Sequence, residues 1–311
     1  MSPLLRGSIL WATEQPIVRS LTTRTPIFRQ IAGRFVAGDD LEAGVAAVRE
    51  LDGQGIAAML DHLGEKVGSP AQAASAADDY IQALKRVRES PEFDANISVK
   101  LTQLGLDSGT DVALENMERL LQVAGETDPP TLVMIDMEAR QYVDGTLDGY
   151  LQLRERHPNV GVCLQSYLHR TVVDAQRIGG PSAIVRMTKG AYLEPPQVAY
   201  SSKRDVTRNF ARIAATLLGS GATVHLATHD PKLVEGARRF IRERGIPRER
   251  YEFQMLYGIR RDIQQDLVRL DEPVRVYVPY GTQWYPYLTR RLAERPANVW
   301  FFLSNLLRRG G

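Results

Sequence analysis

Eight short apolar segments recur along the chain, each bounded by a turn signal and followed by residues with helical periodicity. Several begin as continuously apolar runs, as strands buried on both faces do. Strand alternating with helix predicts parallel β–α units, and eight units indicate an α/β fold of the (β/α)8 TIM-type barrel class, with an open doubly wound sheet as the alternative. The segments are residues 55–64, 96–105, 131–138, 160–168, 183–192, 222–230, 251–258 and 273–281.

The 311 residues are interpreted as one catalytic domain, 1–311, because no loop is rich enough in Pro, Gly or Ser to form a linker. Residues 1–54 precede the first strand and are predicted to form an N-terminal helical arm, with one clear helix in "FVAGDDLEAGVAAVRELDGQG". Residues 55–295 are predicted to form the barrel, and residues 296–311 a C-terminal tail helix.

Composition narrows the function classes. A net charge of +2 with scattered arginines does not indicate a nucleic-acid-binding surface. The single cysteine, Cys163, excludes an internal disulfide, suits a reducing cytoplasm and is expected to be a buried core residue. The N-terminus forms no signal-length apolar core, and no run is long enough to span a membrane. A cytoplasmic protein is expected.

Polar residues stand at the C-terminal ends of the predicted strands, where barrel enzymes carry their chemistry. Lys100 and Asp136 interrupt apolar strands with opposite charges, so they are either functional or paired with each other as a structural bridge. His229 alone could equally be a core imidazole, and a zinc site with His225 is disfavoured because no third ligand is evident; no metal is expected. The other strand-end residues are Glu138, Gln165, Arg186, Lys189, Thr228, Gln254, Tyr277 and Tyr280.

The stretch "YLTRRLAERP" places Arg290 and Arg291 side by side, one turn after Tyr287. The pair is either a solvated basic face or a clamp for a carboxylate or phosphate. Together with the other cations at the strand ends it favours an anionic ligand. No obvious nucleophile is present, which suggests that a cofactor carries out the bond-making and bond-breaking steps. The alternatives are a Schiff-base aldolase that uses Lys100 and a barrel that only binds anions.

Seven motifs together resemble the FAD-dependent proline dehydrogenases in their stand-alone bacterial form. They are "ISVKLTQLG", "MIDME", "VCLQSYL", "VRMTKGAY", "ATHD", "YEFQMLYGIR" and "VYVPYGTQWYPYLTRRLAERPANV". The resemblance implies a distorted (β/α)8 barrel that oxidises L-proline to Δ1-pyrroline-5-carboxylate in the first step of proline catabolism. It also implies non-covalently bound FAD as cofactor and a quinone as the electron acceptor.

The resemblance also implies roles for individual residues. Asp136 and Arg186 would be catalytic, with Arg186 near the reactive edge of the flavin. The proline carboxylate and ring would be held by Lys100, Tyr277, Tyr287, Arg290 and Arg291. The flavin would be held by Met137, Gln165, Arg186, Lys189, Gly190, Ala191, Thr228 and His229. Because quinones are lipid-soluble, the apolar tail "NVWFFLSNLLRRGG" is a candidate for peripheral contact with the inner face of the membrane, unless it packs on the barrel.

Overall fold

The computed structural model describes residues 32–64, 67–90 and 93–294, and in them eight parallel strands close into a barrel in chain order. β1 pairs with both β2 and β8, and Met59 of β1 lies opposite Tyr277 of β8. The sheet therefore has no free edge: the (β/α)8 prediction is confirmed and the open doubly wound sheet is wrong. The strands are β1 Ala57–His62, β2 Ala95–Val99, β3 Val133–Ile135, β4 Val160–Gln165, β5 Ile184–Thr188, β6 Thr223–Ala227, β7 Tyr251–Leu256 and β8 Val274–Tyr280.

Helices alternate with the strands and cover the outside of the barrel. Two of them begin with a capping side chain followed by proline: Ser69 accepts a hydrogen bond from Gln72 N, and Asp230 accepts one from Lys232 N. The helices are α1 Leu41–Asp52, α2 Pro70–Arg88, α3 Thr110–Ala124, α4 Val143–Arg154, α5 Thr171–Ile178, α6 Lys203–Gly219, α7 Pro231–Glu243, α8 Arg261–Arg269 and α9 Trp284–Glu294. Short 3-10 turns lie at Arg140–Tyr142 and Arg248–Arg250.

Two apolar clusters form the core. The larger one joins the strands to the inner faces of the helices, and β4 is buried along its whole length. The smaller cluster joins α9 to the chain before α1 and to the loop after β1, through side chains such as Val36, Leu63 and Leu288. Helix α9 therefore packs on an apolar cluster of its own.

The helix predicted before the first strand is present as α1. The arm before residue 32 and the tail after residue 294 lie outside the described residues, so the division of the chain into arm, barrel and tail stays a prediction. Within the described part of the chain, no helix has the length and apolar character needed to cross a membrane.

Candidate active site

Asp136, directly after β3, is the centre of a buried polar cluster at the C-terminal end of the barrel. Its Oδ1 accepts hydrogen bonds from Arg186 Nη1 at 2.6 Å and from Ser98 Oγ at 2.9 Å. Its Oδ2 accepts one from the Tyr277 hydroxyl at 2.7 Å and lies 3.4 Å from Lys100 Nζ. Four side chains from β2, β5, β8 and the residue directly after β2 thus meet at one carboxylate.

The charges around Asp136 fix its protonation state. Burial acts to raise the pKa of Asp136, but the Lys100 and Arg186 charges outweigh it and lower the pKa below the ordinary value. Burial and the Asp136 charge together hold the pKa of Tyr277 well above its usual range. At neutral pH the cluster therefore contains a carboxylate that accepts and a phenol that donates.

Lys100 has a closer partner than Asp136. Its Nζ lies 2.6 Å from Oδ1 of Asp61, a fully buried carboxylate at the end of β1. The predicted Lys100–Asp136 bridge is present at 3.4 Å, but it is the longer of the two contacts. Sequence reasoning missed Asp61, although its signal, a carboxylate inside the apolar run "AMLDHLG", is the one that identified Asp136.

The pKa of Lys100 argues against Schiff-base chemistry. Burial acts to lower this pKa, but the carboxylates of Asp61 and Asp136 outweigh it and hold the pKa well above its ordinary value. A Schiff-base lysine attacks as the neutral amine and requires a depressed pKa. Lys100 is therefore a permanent cation, and the aldolase alternative has no support in this geometry.

Arg186 on β5 is buried and held along two edges. Its Nε donates to Gln254 Oε1 at 2.7 Å, and its Nη1 donates to Asp136. Its Nη2 contacts the sulfur of Met59, which is a weak acceptor. The guanidinium carbon lies 5.3 Å from the centroid of the Tyr277 ring. The remaining donor capacity is thus at the Nη2 edge.

Gln165 provides the observation that tests whether the site fits a flavin. Its Nε2 donates to the main-chain oxygen of Met137 at 2.8 Å, whereas its buried Oε1 accepts no hydrogen bond within the described residues. A buried acceptor without a donor is costly unless a ligand supplies one. The ring N–H of an isoalloxazine is a donor of this kind, so the residues at the end of β4 fit the group.

The other predicted flavin residues lie along the same edge of the barrel, after β5 and β6. Lys189 Nζ pairs with Asp230 Oδ2 at 2.9 Å, and Thr228 Oγ1 accepts from the Asp230 N–H. His229 Nε2 accepts from Leu256 N at 2.9 Å. Since a backbone N–H can only donate, this nitrogen carries no proton.

Gly190 and Ala191 follow β5. Gly190 has φ +102° and packs against the ring of Tyr167, where a side chain would collide with that ring. Both the backbone conformation and the close approach require glycine. The loop after β5 therefore turns tightly at the site.

Helix α9 places Tyr287 and Arg291 together. The Tyr287 side chain is buried, and the Arg291 guanidinium lies 5.5 Å from the centroid of its ring. The side chain of Arg290 lies outside the described part of the structure. The joining of the arginine pair to the cluster around Asp136 stays a prediction.

No metal site is present in the described ranges of the chain, which contain no group of three His, Cys, Asp or Glu side chains arranged for a metal ion. His225 Nδ1 lies 2.9 Å from the Gln254 amide nitrogen. Cys163 is buried, and burial raises the pKa of its thiol, as expected of a core residue.

Comparison with known proteins extends these observations. A family model described as proline dehydrogenase matches residues 45–303. The proline dehydrogenase of Deinococcus radiodurans is 38% identical over 310 residues, which cover 98% of each chain. Proline dehydrogenase 2 of Bacillus subtilis is 37% identical over 281 residues, covering 90% of this chain and 92% of the relative.

The barrel is also similar to a solved structure, that of proline utilization A from Bdellovibrio bacteriovorus inactivated by N-propargylglycine. The TM-score is 0.77 at 23% identity, and the match covers 85% of this chain. It covers 32% of that chain, so the likeness shows a shared fold within a much longer protein.

Proposed function

The chain belongs to the proline dehydrogenase family, and we propose that it oxidises L-proline to Δ1-pyrroline-5-carboxylate with non-covalently bound FAD. The Asp136 cluster carries this proposal, because it joins Lys100, Arg186 and Tyr277 around one carboxylate at the catalytic end of the barrel. FAD, when bound, accepts the hydride that leaves C5 of proline.

Proline is small and anionic once its amine is neutral, so its carboxylate is the natural anchor. Lys100 has three N–H donors, and the contacts to Asp61 and Asp136 leave one of them for a ligand. We propose that this donor, with Arg290 and Arg291, holds the proline carboxylate. Such charge-assisted contacts contribute roughly 1.5–3 kcal/mol each, which is enough to anchor so small a ligand.

Two tyrosines are proposed to shape the ring pocket. The Tyr277 hydroxyl is fixed by Asp136, which leaves its ring to face the substrate, and Tyr287 covers the pocket from α9. Because the pKa of Asp136 is lowered and that of Tyr277 is raised, neither group takes up the amine proton readily at neutral pH. The amine is therefore expected to lose its proton to solvent before the hydride leaves.

Arg186 is proposed to stabilise the negative charge that arrives at the flavin, since preorganised donors in a buried site act strongly on developing charge. The hydrogen bonds of Arg186 to Gln254 and Asp136 hold the guanidinium in place, so it can stabilise this charge without reorganisation. The residues that would hold the cofactor are Met137, Gln165, Arg186, Lys189, Gly190, Ala191, Thr228 and His229.

One spectrum tests the function. The purified protein is expected to be yellow, and anaerobic addition of L-proline should bleach the flavin absorbance, whereas D-proline serves as control. Acid should release the colour into the supernatant, since buried Cys163 offers no exposed attachment site. A protein that retains its colour after L-proline is added would contradict the proposed function, and colour in the precipitate would contradict non-covalent binding.

The electron acceptor is proposed to be a quinone reached at the inner face of the cytoplasmic membrane. The tail after residue 294 is the candidate contact, and it lies outside the described residues. Deleting residues 299–311 is expected to slow turnover with a membrane-embedded quinone and to spare turnover with a water-soluble dye. Equal loss in both assays would show that the tail only supports the barrel.

A further inference from the structure

A hydrogen-bonded chain runs through the barrel interior from Arg186 towards the opposite end of the strands. Arg186 Nε donates to Gln254 Oε1 at 2.7 Å, and Gln254 Nε2 donates to Glu252 Oε1 at 2.7 Å. Glu252 accepts from Arg275 Nε at 2.9 Å, and Arg275 Nη2 reaches the exposed carboxylate of Asp94. Barrel interiors are normally filled by branched apolar side chains, so this polar chain requires a reason.

The orientation of the Gln254 amide is fixed by its neighbours. Its nitrogen faces two acceptors, Glu252 Oε1 and His225 Nδ1, the latter at 2.9 Å. A flipped amide would place its oxygen against the carboxylate and its N–H groups against the Nε–H of Arg186. Gln254 therefore presents its oxygen to Arg186.

This oxygen determines how Arg186 is held. Without Gln254, the strong hydrogen bonds of the guanidinium would all lie at Nη1, to Asp136 and Ser98, with only the weak contact of Nη2 to the Met59 sulfur beside them. The group could then pivot about Nη1, whereas the contact at Nε fixes its plane. The N–H donors of Nη2, which are the ones left for a ligand, are then held in a single orientation. Orientation within a few tenths of an ångström matters for a group that acts on a transition state.

We propose that Gln254 is a positioning residue, which fixes the guanidinium of Arg186 for the reaction and is itself supported by His225 and Glu252. The inference rests on the proposed function of Arg186. Gln254 touches neither the substrate nor the other members of the Asp136 cluster in this assignment, so its effect passes through Arg186.

A double-mutant cycle tests this role. Gln254→Leu removes the acceptor at similar size, and flavin reduction at saturating L-proline should be about 10- to 100-fold slower than in the wild type. The same substitution in an Arg186→Met background should have no further effect, because the residues act as one unit. Arg186→Lys is the second background in case the Met variant loses flavin: lysine keeps the charge but has no planar guanidinium for Gln254 to orient, so Gln254→Leu should slow this enzyme less than it slows the wild type.

Two readouts do not depend on turnover. The midpoint potential of bound FAD should become more negative in Gln254→Leu, because a displaced cation stabilises the reduced flavin less. Binding of a proline analogue with oxygen in place of the ring nitrogen should stay at the wild-type level, which separates positioning from loss of the substrate site. Gln264→Leu is the matched control: Gln264 is also buried but donates to the main-chain oxygens of Leu256 and Ile259.

The outcomes separate the possibilities. A slow Gln254→Leu enzyme with a shifted potential and a fast Gln264→Leu enzyme support the inference. Wild-type rates in Gln254→Leu overturn it, and so does an equal further loss in the Arg186→Met background, which would show a general effect on the barrel. Failure of the wild type itself to be reduced by L-proline would overturn the proposed function instead.

Discussion

At Lys100 two carboxylates and burial act in opposite directions on one pKa. The ammonium group lies 2.6 Å from Asp61 and 3.4 Å from Asp136, and their charges raise the pKa of Lys100 against the effect of burial. A raised lysine pKa gives stability that is present below the ordinary value of about 10.4 and is lost as the pH rises through the folded value. The cation therefore persists over the whole physiological range.

Removing the carboxylate of Asp61, which is the nearer one, should bring the deprotonation of Lys100 into a measurable pH range. In Asp61→Asn the burial of Lys100 remains while its main counter-charge is lost, so we expect its pKa to fall. The basic limb of the kcat/KM profile for L-proline should then move to lower pH, and the free energy of unfolding should fall by about 3 kcal/mol. Asp79→Asn, at a half-exposed carboxylate near His62, is the control. Identical pH profiles for Asp61→Asn and the wild type would contradict this account of Lys100.

The three arginines proposed to act on substrate and flavin should differ in their kinetic effects. Arg290→Met and Arg291→Met should raise KM for L-proline much more than they slow flavin reduction at saturation, since a carboxylate clamp acts mainly on binding. Loss of one partner of a buried charge pair costs about 2–5 kcal/mol, or roughly 30-fold to several thousand-fold. Arg186→Met should instead slow flavin reduction itself. Stopped-flow reduction over a range of proline concentrations measures both quantities, and one modest effect shared by all three variants would favour a solvated basic face.

Helix α9 is expected to unfold partly independently of the barrel. Its apolar side chains Trp284, Tyr285 and Leu288 belong to the small cluster that also contains Leu63 after β1 and the chain before α1, apart from the larger core of the barrel. Segments with few apolar contacts open more readily than the rest of a protein. The helix that carries Tyr287 and Arg291 is therefore expected to loosen before the barrel unfolds.

Leu288→Ala tests this expectation. Leu288 is 1% exposed, and its truncation should raise KM for L-proline while the global melting temperature falls little. Leu217→Ala is the matched control, since Leu217 on α6 is fully buried in the larger core, and its truncation should cost about 2–5 kcal/mol of global stability. Hydrogen exchange should show faster opening of α9 in the first variant only. If both variants lower the melting temperature equally, α9 unfolds together with the barrel.

The elements could be predicted from sequence because each buried strand is a short apolar run between turn signals, as in "TLVMIDME". Lys100 and Asp136 were identifiable for a related reason, since a charge in such a run is rarely accidental. Which charges meet could not be predicted: Asp61 and Lys100 are 39 residues apart, and their pairing depends on the register of β1 with β2. The contact between Gln254 and Arg186 likewise exists only once the barrel is closed.

Across the whole molecule, the polar interior makes stability depend on pH. Burial lowers the pKa of His225 to about 4, with the Arg275 and Arg186 charges acting in the same direction and those of Glu252 and Asp94 opposing it. Nearby, Asp136 and Glu252 have lowered pKa values because paired cations outweigh their burial. In all three cases the unfolded chain takes up protons at a higher pH than the folded one does. Stability therefore falls as the pH falls, first through His225 and later through the carboxylates.

His225→Asn should remove the first part of this acid sensitivity. Between about pH 6.5 and pH 4, proton uptake by His225 in the unfolded state is expected to cost the wild type about 3 kcal/mol of stability. Asparagine does not titrate, and its side-chain oxygen can accept from the Gln254 amide in place of Nδ1, so the variant should lose less stability over this range. Urea unfolding at several pH values measures the slope, and exposed His169→Asn is the control that should keep it. If stability depends on pH as steeply in His225→Asn as in the wild type, His225 is also protonated in the folded protein. The assignment of a neutral His225 beside Gln254 would then be wrong.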